Sequence, residues 1–411
     1  VSFLLLAAGS TAPAAAQTPA DKLLADVRHL ADDRLEGRLT GTPGADSAAA
    51  YIARRFAETG LVPLAEGWFQ DFVVSPDAPA ARHAPVAGAR GRNVIGVLRG
   101  SDPRLRREAV VVGAHYDHLG LGGVFALDPD STGAVHNGAD DNASGTAALI
   151  DIARRLSRRP PARSVIFIAF GGEELGLLGS AHYVREAGSG ARIAAMLNLD
   201  MVGRLRDGRL IVYGTGSATE FSPLLDSLNR AAKLELALRP DGYGPSDQSS
   251  FYAAGVPVLH FFTNVHEDYH RSTDDWQKID AAGLERVAGF AANVATAVAN
   301  RPARLTFVAL PLTAHGGSAT GGYGAYLGTV PDMSGTQSGV RLAGVRAGSP
   351  ADKAGLKADD VITRIGDYEV PDLEAMTSAL RNHRPGDTVE IVVRRGDALT
   401  TLTATLGTRG S

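Results

Sequence analysis

Short apolar runs recur along the chain, the first two of them rich in β-branched residues, and they limit the folds that the sequence can adopt. The runs span residues 109–114, 164–170, 193–199 and 256–262. Runs of this length are typical of strands that are buried on both faces of a parallel sheet. Between them apolar residues recur at helical spacing, as in residues 149–156. The alternation predicts an α/β fold with a mixed, largely parallel sheet and helices on both faces.

Side chains of the types that bind metals follow the ends of these runs. In chain order they are His115, Asp141, the pair Glu173 and Glu174, Asp200 and His270. Because ligand sites in open α/β sheets lie outside the carboxyl ends of the strands, residues after separate strands can converge on one crevice. With Glu173 counted as a spare carboxylate, the remaining two imidazoles and three carboxylates form the set that two neighbouring divalent ions require when one carboxylate bridges them. The pattern predicts a metal-dependent hydrolase.

Composition sets the outer limits of this prediction. The chain has 411 residues, of which 44% are hydrophobic, so it can bury a large core and hold more than one domain. Its formal net charge of -4, with the two signs interspersed, offers no basic surface to nucleic acid. The lack of cysteine excludes disulfides and thiolate zinc sites. Serine-hydrolase and nucleotide-binding motifs are also missing from the sequence.

Changes in composition divide the chain into segments. Residues 1–19 resemble the apolar core and cleavage site of a signal peptide, which predicts export to the periplasm or the exterior. This run is too short to cross a bilayer, and no membrane span is expected in the mature chain. Residues 20–302 carry the metal-type side chains, and residues 303–322 have the small, polar character of a linker. Residues 323–411 are predicted to form a small, mainly β domain, because short alternating strands recur there.

Five ordered motifs carry a resemblance to a known family. They lie at residues 115–117, 138–145, 173–176, 198–201 and 269–274. Together they resemble the motif series of the co-catalytic zinc aminopeptidases of peptidase family M28. The segment 35–44 also resembles the amino-terminal segment of bacterial members.

The M28 resemblance implies a ligand set and a general base. The implied ligands are His115 and Asp200 for one zinc ion, Glu174 and His270 for the other, and Asp141 as the bridge between them. Glu173 is implied as the base, because a carboxylate next to a ligand lies near the attacking water without occupying a coordination position. Sites of histidine and carboxylate also accept cobalt or manganese, so the native metal stays open.

Supporting residues follow from the same motifs. Asp117 is expected to accept a hydrogen bond from the His115 imidazole, and Asp274 or Asp275 is expected to brace His270 in the same way. Asp140 is expected to lie behind the ligands, because the family bridges its metals through the second aspartate of the pair.

Two further side chains near the motifs have weaker assignments. Tyr243 matches a family position whose phenol contacts the substrate carbonyl, so it is a candidate oxyanion donor. His118 follows His115 by three residues, but no helix is expected there, and a supporting or rim position is predicted.

The carboxy-terminal domain resembles a bacterial PDZ domain, through residues 326–329 and 347–362. The resemblance implies that backbone N–H groups of Leu327, Gly328 and Thr329 bind the terminal carboxylate of a peptide or protein. A structural or dimerising appendage is the alternative.

The activity implied is an exopeptidase that hydrolyses the amino-terminal bond of peptide substrates. A carboxypeptidase or dipeptidase with the same chemistry is one alternative. The other is an inactive binding protein that carries a PDZ domain, although such a protein would normally have lost a ligand or the base, and none is missing here. Side-chain preference and oligomeric state are not contained in the spacing of the motifs.

Overall fold

The structure is a computed structural model, and it describes most of the chain. The described residues are 17–74, 86–123, 126–128, 131, 133–187, 192–244, 246–309, 325–331, 339–345, 348–371, 375–376, 379–380 and 382–407. The predicted signal segment lies largely outside these residues, as does most of the predicted linker.

The α-helices whose bounds the structure defines are numbered in chain order. They are α1 (Pro19–Leu30), α2 (Pro43–Glu58), α3 (Gly145–Ser157), α4 (Leu178–Ala187), α5 (Phe221–Ala232), α6 (Gln248–Ala253), α7 (Ala281–Asn300) and α8 (Pro350–Lys353). Side-chain caps stabilise the first turns of α1, α2 and α7, since Thr18, Thr42 and Asp280 each accept a backbone N–H there. Among the described helices, none is both long enough and apolar enough to pass through a bilayer.

Strands form two separate sheets. The first contains β1 (Val62–Pro63), β2 (Phe69–Val73), β3 (Arg90–Leu98), β4 (Ala109–His115), β5 (Ser164–Phe170), β6 (Ile193–Leu199), β7 (Arg209–Tyr213), β8 (Glu235–Leu238) and β9 (Val258–Phe262). The second contains β10 (Thr329–Pro331), β11 (Val340–Val345), β12 (Val361–Ile365), β13 (Tyr368–Glu369), β14 (Thr388–Arg395) and β15 (Ala398–Thr405).

The first sheet is mixed, as predicted. Its order is β1-β3-β5-β4-β6-β9-β7-β8, with β2 paired to β3. The central strands β5, β4, β6 and β9 are parallel, whereas β3 and β7 join their neighbours β5 and β9 in antiparallel register. The central four strands are the four apolar runs of the sequence, so their carboxyl ends lie along one edge of the sheet.

Helices cover both faces of this sheet, and the central strand shows how. Every residue of β4 is buried. Val110 and Val112 belong to an apolar cluster that includes residues of α3 and α7. Val111, on the opposite face, belongs to a second cluster with Tyr183 of α4 and Phe251 of α6. Strand β4 is therefore held by apolar packing on both sides, which fixes the position of His115 at its end.

The second sheet is antiparallel and has its own core. Its order is β10-β11-β12-β14-β15, and the hairpin of β14 and β15 pairs residues from Thr388 with Thr405 to Arg395 with Ala398. Its apolar cluster includes Leu342, Ile362 and Ile391, and it shares no residue with the clusters of the first sheet. The prediction of a small, mainly β domain after the α/β domain agrees with this arrangement.

Candidate metal centre

The predicted ligands meet at the carboxyl edge of the central strands. His115 is the last residue of β4, Asp200 directly follows β6, and Glu174 follows β5 after a short turn. His270 lies in the loop after β9, and Asp141 lies in the irregular turn Ala139–Ser144 that leads into α3. All five side chains come together although His115 and His270 are 155 positions apart in the sequence.

Asp141 lies between the two imidazoles. Its Oδ1 atom is 3.3 Å from His115 Nε2, and its Oδ2 atom is 3.2 Å from His270 Nε2. His115 Nε2 is also 3.3 Å from Asp200 Oδ1, and His270 Nε2 is 3.2 Å from Glu174 Oε2. We call these five side chains the cage. Its halves are His115 with Asp200 and His270 with Glu174, and the Asp141 carboxylate presents one oxygen to each half.

These separations fit a metal ion in each half. Ligand atoms that lie about 2.0–2.1 Å from a tetrahedral zinc ion lie about 3.3 Å from one another. The most common length of an N–H···O hydrogen bond is shorter, at about 2.9–3.0 Å. The four nitrogen–oxygen separations around Asp141, at 3.2 and 3.3 Å, are therefore compatible with ligands of a shared ion.

His118 lies beside the same cage but makes a different contact. Its Nδ1 atom is 2.8 Å from Glu174 Oε1, which is a direct hydrogen bond, and it is 3.9 Å from Asp141 Oδ2. The 2.8 Å contact is shorter than the spacing of two ligands on a tetrahedral zinc ion, although His118, Asp141 and Glu174 are close enough together to hold a metal ion. His118 is fully buried and orients Glu174, which agrees with a supporting position.

The cage attracts positive charge. Burial opposes the charged form of Asp141, but in the absence of an ion the neighbouring imidazoles of His115 and His270 outweigh it and hold the pKa of Asp141 well below its usual value. Burial also opposes protonation of His115, and the carboxylate charges, with Glu173 foremost, overcome it and raise the pKa of His115 well above the usual range. Burial likewise opposes charge on His270, and Glu174 raises its pKa to about 10. The negative charge that favours these protons would equally be balanced by metal cations.

Glu173 is partly exposed and stands at the mouth of the cage, since one of its carboxylate oxygens lies within 4.8 Å of ligand atoms of His115 and Glu174. Removal from water raises the pKa of Glu173 well above its usual value, and the charges of Glu174 and Asp200 add to this while His115 opposes it. A carboxyl group with a raised pKa can both accept and return a proton near neutral pH.

Asp117 makes contacts that differ from the predicted ones. His115 Nδ1 is 3.2 Å from the backbone carbonyl of Asp117 and 3.8 Å from its carboxylate. The carboxylate accepts a hydrogen bond from the Thr40 hydroxyl at 3.0 Å and another from the Glu173 backbone N–H at 3.2 Å. The imidazole is thus oriented by a main-chain oxygen, because the chain turns directly after β4. The Asp117 side chain instead points towards the loop after β5.

Asp274 braces the bridging loop, where a contact with the second imidazole was expected. Its Oδ2 atom accepts the backbone N–H groups of Asp140 at 2.9 Å and Asp141 at 3.1 Å. Arg204 donates to the other oxygen at 2.9 Å and fixes the carboxylate. Asp140 lies behind the cage, 3.1 Å from His266 Nε2. The bridging aspartate is therefore positioned through its main chain.

Arg38, in the segment that resembles bacterial M28 members, is fully buried. Its guanidinium donates to the carbonyls of Leu30 at 2.5 Å, Tyr116 at 2.7 Å, Asn137 at 2.6 Å and Gly138 at 3.0 Å. Burial lowers the pKa of Arg38 to about 10, so the group stays charged at neutral pH. It ties the loop after β4 to the loop that precedes the bridging aspartate.

Sequence reasoning missed Asp247, which is fully buried near the cage. Burial raises the pKa of Asp247 to about 7, against the opposing charge of His115. A carboxylate directly before α6 has the sequence signature of an ordinary helix cap, and nothing local distinguishes it.

The candidate oxyanion donor Tyr243 lies in the loop before α6. Its ring packs edge-on against Tyr252, with centroids 4.7 Å apart, and against the apolar cluster that includes Phe251. Its predicted contact with a substrate carbonyl stays a prediction.

The predicted PDZ loop precedes β10 and lies against α8. The Leu327 carbonyl accepts the Ala351 N–H at 2.8 Å, and Leu327 is buried. Gly328 has φ +86, and a Cβ atom there would lie 2.3 Å from the Cβ of Ser349. Thr329 begins the strand that pairs with β11. The backbone of the loop is thus fixed in a conformation that favours glycine.

Two family models match the chain in the expected order. Residues 93–295 match the model described as peptidase family M28, and residues 325–406 match a PDZ domain. Leupeptin-inactivating enzyme 1 of Streptomyces exfoliatus is 31% identical over 284 residues, which cover 66% of this chain and 56% of that protein. Aminopeptidase YwaD of Bacillus subtilis is 31% identical over 207 residues, which cover 47% of this chain and 42% of that protein. The chain thus spans about half the length of these relatives.

A solved structure supports the fold. BSAP, a zinc aminopeptidase from Bacillus subtilis, aligns with a TM-score of 0.56 over 69% of this chain and 96% of its own, at 20% identity. The mixed sheet is therefore a fold that this chain shares with a zinc aminopeptidase, and the cage lies at the carboxyl edge of its central strands. Residues 93–295 are therefore similar to peptidase family M28, and a PDZ domain follows them in the chain. Both resemblances inferred from the sequence are confirmed.

Proposed function

We propose that this chain is a zinc aminopeptidase that releases amino-terminal residues from peptides. The observation that carries the proposal is the divided cage, in which Asp141 presents one oxygen to each imidazole at 3.2 and 3.3 Å. A bridging carboxylate between two histidines is the arrangement that a pair of divalent ions requires. Relatives and a structural neighbour are named as aminopeptidases, which favours cleavage at the amino terminus.

The cage divides into two ligand sets. His115 and Asp200 would hold one ion, Glu174 and His270 would hold the other, and Asp141 would contact both. When bound, two zinc ions would polarise the scissile carbonyl and lower the pKa of the attacking water.

Glu173 would transfer the protons of the reaction. It stands at the mouth of the cage and is held there by the hydrogen bond from its backbone N–H to Asp117. With its raised pKa, it would take a proton from the attacking water and return it to the leaving amine. Tyr243 would donate a hydrogen bond to the oxygen that becomes negatively charged, as a second part of the proposal.

The replacement Glu173→Gln tests this proposal. The amide keeps the shape of the side chain and cannot accept the proton, so kcat on aminoacyl substrates should fall by about 100-fold or more. Zinc content, measured by elemental analysis after dialysis, should stay at two ions per chain. Glu186→Gln, at an exposed position on α4, is the matched control and should leave kcat unchanged. Undiminished turnover in Glu173→Gln would reject Glu173 as the base.

Paired substrates separate the proposal from its rivals. Peptides with a free amino terminus should be hydrolysed, and the same peptides with an acetylated amino terminus should not. A carboxypeptidase would cleave both, and a dipeptidase would cleave only two-residue substrates. A chain that binds zinc yet hydrolyses none of them would be the inactive binding protein.

The PDZ domain and the predicted export complete the proposal. The PDZ domain would bind the carboxy terminus of a peptide or protein on the loop Leu327–Thr329, because the fixed loop backbone before an edge strand suits carboxylate capture. Export to the periplasm or exterior would place the enzyme with peptide substrates outside the cytoplasm, and cell fractionation would test it.

A further inference from the structure

Thr40 lies at the junction of two strand-end loops of the peptidase domain. It follows Arg38 in the segment between α1 and α2, and only 2% of its surface is exposed. Its hydroxyl donates to Asp117 Oδ2 at 3.0 Å and accepts the backbone N–H of Gly172 at 2.8 Å. One hydroxyl therefore joins the loop after β4 to the loop after β5.

Asp117 extends this connection to the proposed base. Its second carboxylate oxygen accepts the Glu173 backbone N–H at 3.2 Å, and its own carbonyl lies 3.2 Å from His115 Nδ1. The Asp117 side chain is fully buried. Its orientation is set by the Thr40 hydroxyl on one oxygen and by Glu173 on the other.

The hydroxyl, and not only the shape of Thr40, is required for this arrangement. The Thr40 methyl packs near Gly91, where an added Cβ atom would lie 3.0 Å from it. Valine would keep that packing but would leave Asp117 Oδ2 and the Gly172 N–H without the Thr40 partner that each has now. Both groups are buried, so the loop would shift to find new partners.

We infer that Thr40 is a positioning residue for Glu173, acting through Asp117 and Gly172. The inference rests on the proposed function, because it concerns the position of the proposed base. The amino-terminal segment thereby contributes to the reaction without contacting substrate or a metal ligand.

Steady-state kinetics of Thr40→Val and Thr40→Ser in the full chain test this inference. Thr40→Val should lower kcat by about 10- to 100-fold, the range that loss of outer hydrogen bonds produces, with KM changed little. Thr40→Ser keeps the hydroxyl and should restore most of kcat. Zinc content should stay at the wild-type value in both. If Thr40→Val does not fold, Thr40→Ala takes its place, with the same expected loss.

A second measurement does not depend on turnover. An α-amino boronic acid, which mimics the tetrahedral transition state, should bind Thr40→Val more weakly by about the factor lost in kcat, as measured by calorimetry. The free amino acid product should bind both proteins equally. Thr42→Val removes a hydroxyl that caps α2 in the same segment, so it should lower the thermal midpoint and leave kcat unchanged.

Three outcomes would overturn the inference. Wild-type kcat in Thr40→Val would show that the hydroxyl is dispensable, an equal loss in Thr40→Ser would show that shape alone matters, and a comparable loss of kcat in Thr42→Val would show a general effect of destabilisation. Failure of the proposed function is distinguishable, because the wild-type chain would then hydrolyse no free-amine peptide.

Discussion

At the scale of single residues, the lengths of their contacts distinguish the proposed ligands from the residues beside them. His118 and His270 both contact Glu174 and lie against one another, with ring centroids 5.7 Å apart. His118 is 2.8 Å from one Glu174 oxygen, whereas His270 is 3.2 Å from the other and 3.2 Å from Asp141. The shorter contact has the length of a direct hydrogen bond, and the longer contacts are close to the spacing of two ligands on one zinc ion.

Matched replacements of the two histidines test this distinction. His270→Ala should reduce zinc content to about one ion per chain and abolish detectable peptidase activity, because one half of the cage loses its imidazole. His118→Asn keeps a hydrogen-bond donor towards Glu174 and should retain both ions, with metal affinity lowered by about 10-fold at most. Elemental analysis after dialysis against a weak chelator measures both. Loss of an ion in His118→Asn, with full retention in His270→Ala, would exchange the two roles.

At the scale of elements, the amino-terminal segment Asp33–Arg38 holds the loops that carry the ligands. Arg38 donates to four carbonyls that lie in three separate stretches of chain. Arg38→Met should lower the free energy of unfolding by about 3 kcal/mol or more, because several buried carbonyls lose their donor together. The chain has two tryptophans, and since both Trp68 and Trp276 lie in the peptidase domain, urea unfolding followed by tryptophan fluorescence reports that domain.

Arg34→Met is the matched control for this prediction. Arg34 lies in the same turn, but its side chain is 81% exposed and pairs only with Asp32 in the described contacts. The urea midpoint should stay at the wild-type value, since exposed ion pairs contribute little. An equal loss in both variants would show that the turn itself, and not the buried guanidinium, determines stability.

Sequence patterns were sufficient for the strands but not for the contacts behind the cage. Short apolar runs predicted the central strands, and the residues after them converge because parallel strands end at one edge. The Asp117 carboxylate instead meets Thr40, which is 77 positions earlier, and Asp274 meets the Asp141 backbone across 133 positions. Such contacts depend on how loops pack after the sheet has formed, and no local spacing encodes them.

At the scale of the whole molecule, the peptidase and PDZ domains have separate apolar cores. The cluster that includes Ile391 in the second sheet contains no residue of the cluster that includes Val110 in the first. Each domain can therefore keep its fold when the other is changed, and a contribution of the PDZ domain should act on substrate capture and not on chemistry at the cage.

Paired peptides of one sequence, with a free or an amidated carboxy terminus, test this division of roles. In the full chain the free-carboxylate peptide should show a KM lower by about three- to tenfold, because its terminus can bind the PDZ loop while its amino terminus enters the cage. Deletion of residues 323–411 should remove the difference and leave kcat on short aminoacyl substrates unchanged. Gly328→Val is the matched point variant, since φ +86 and the 2.3 Å approach of Ser349 exclude a branched side chain there. Equal KM values for the two peptides in the full chain would leave the PDZ domain without a part in substrate capture.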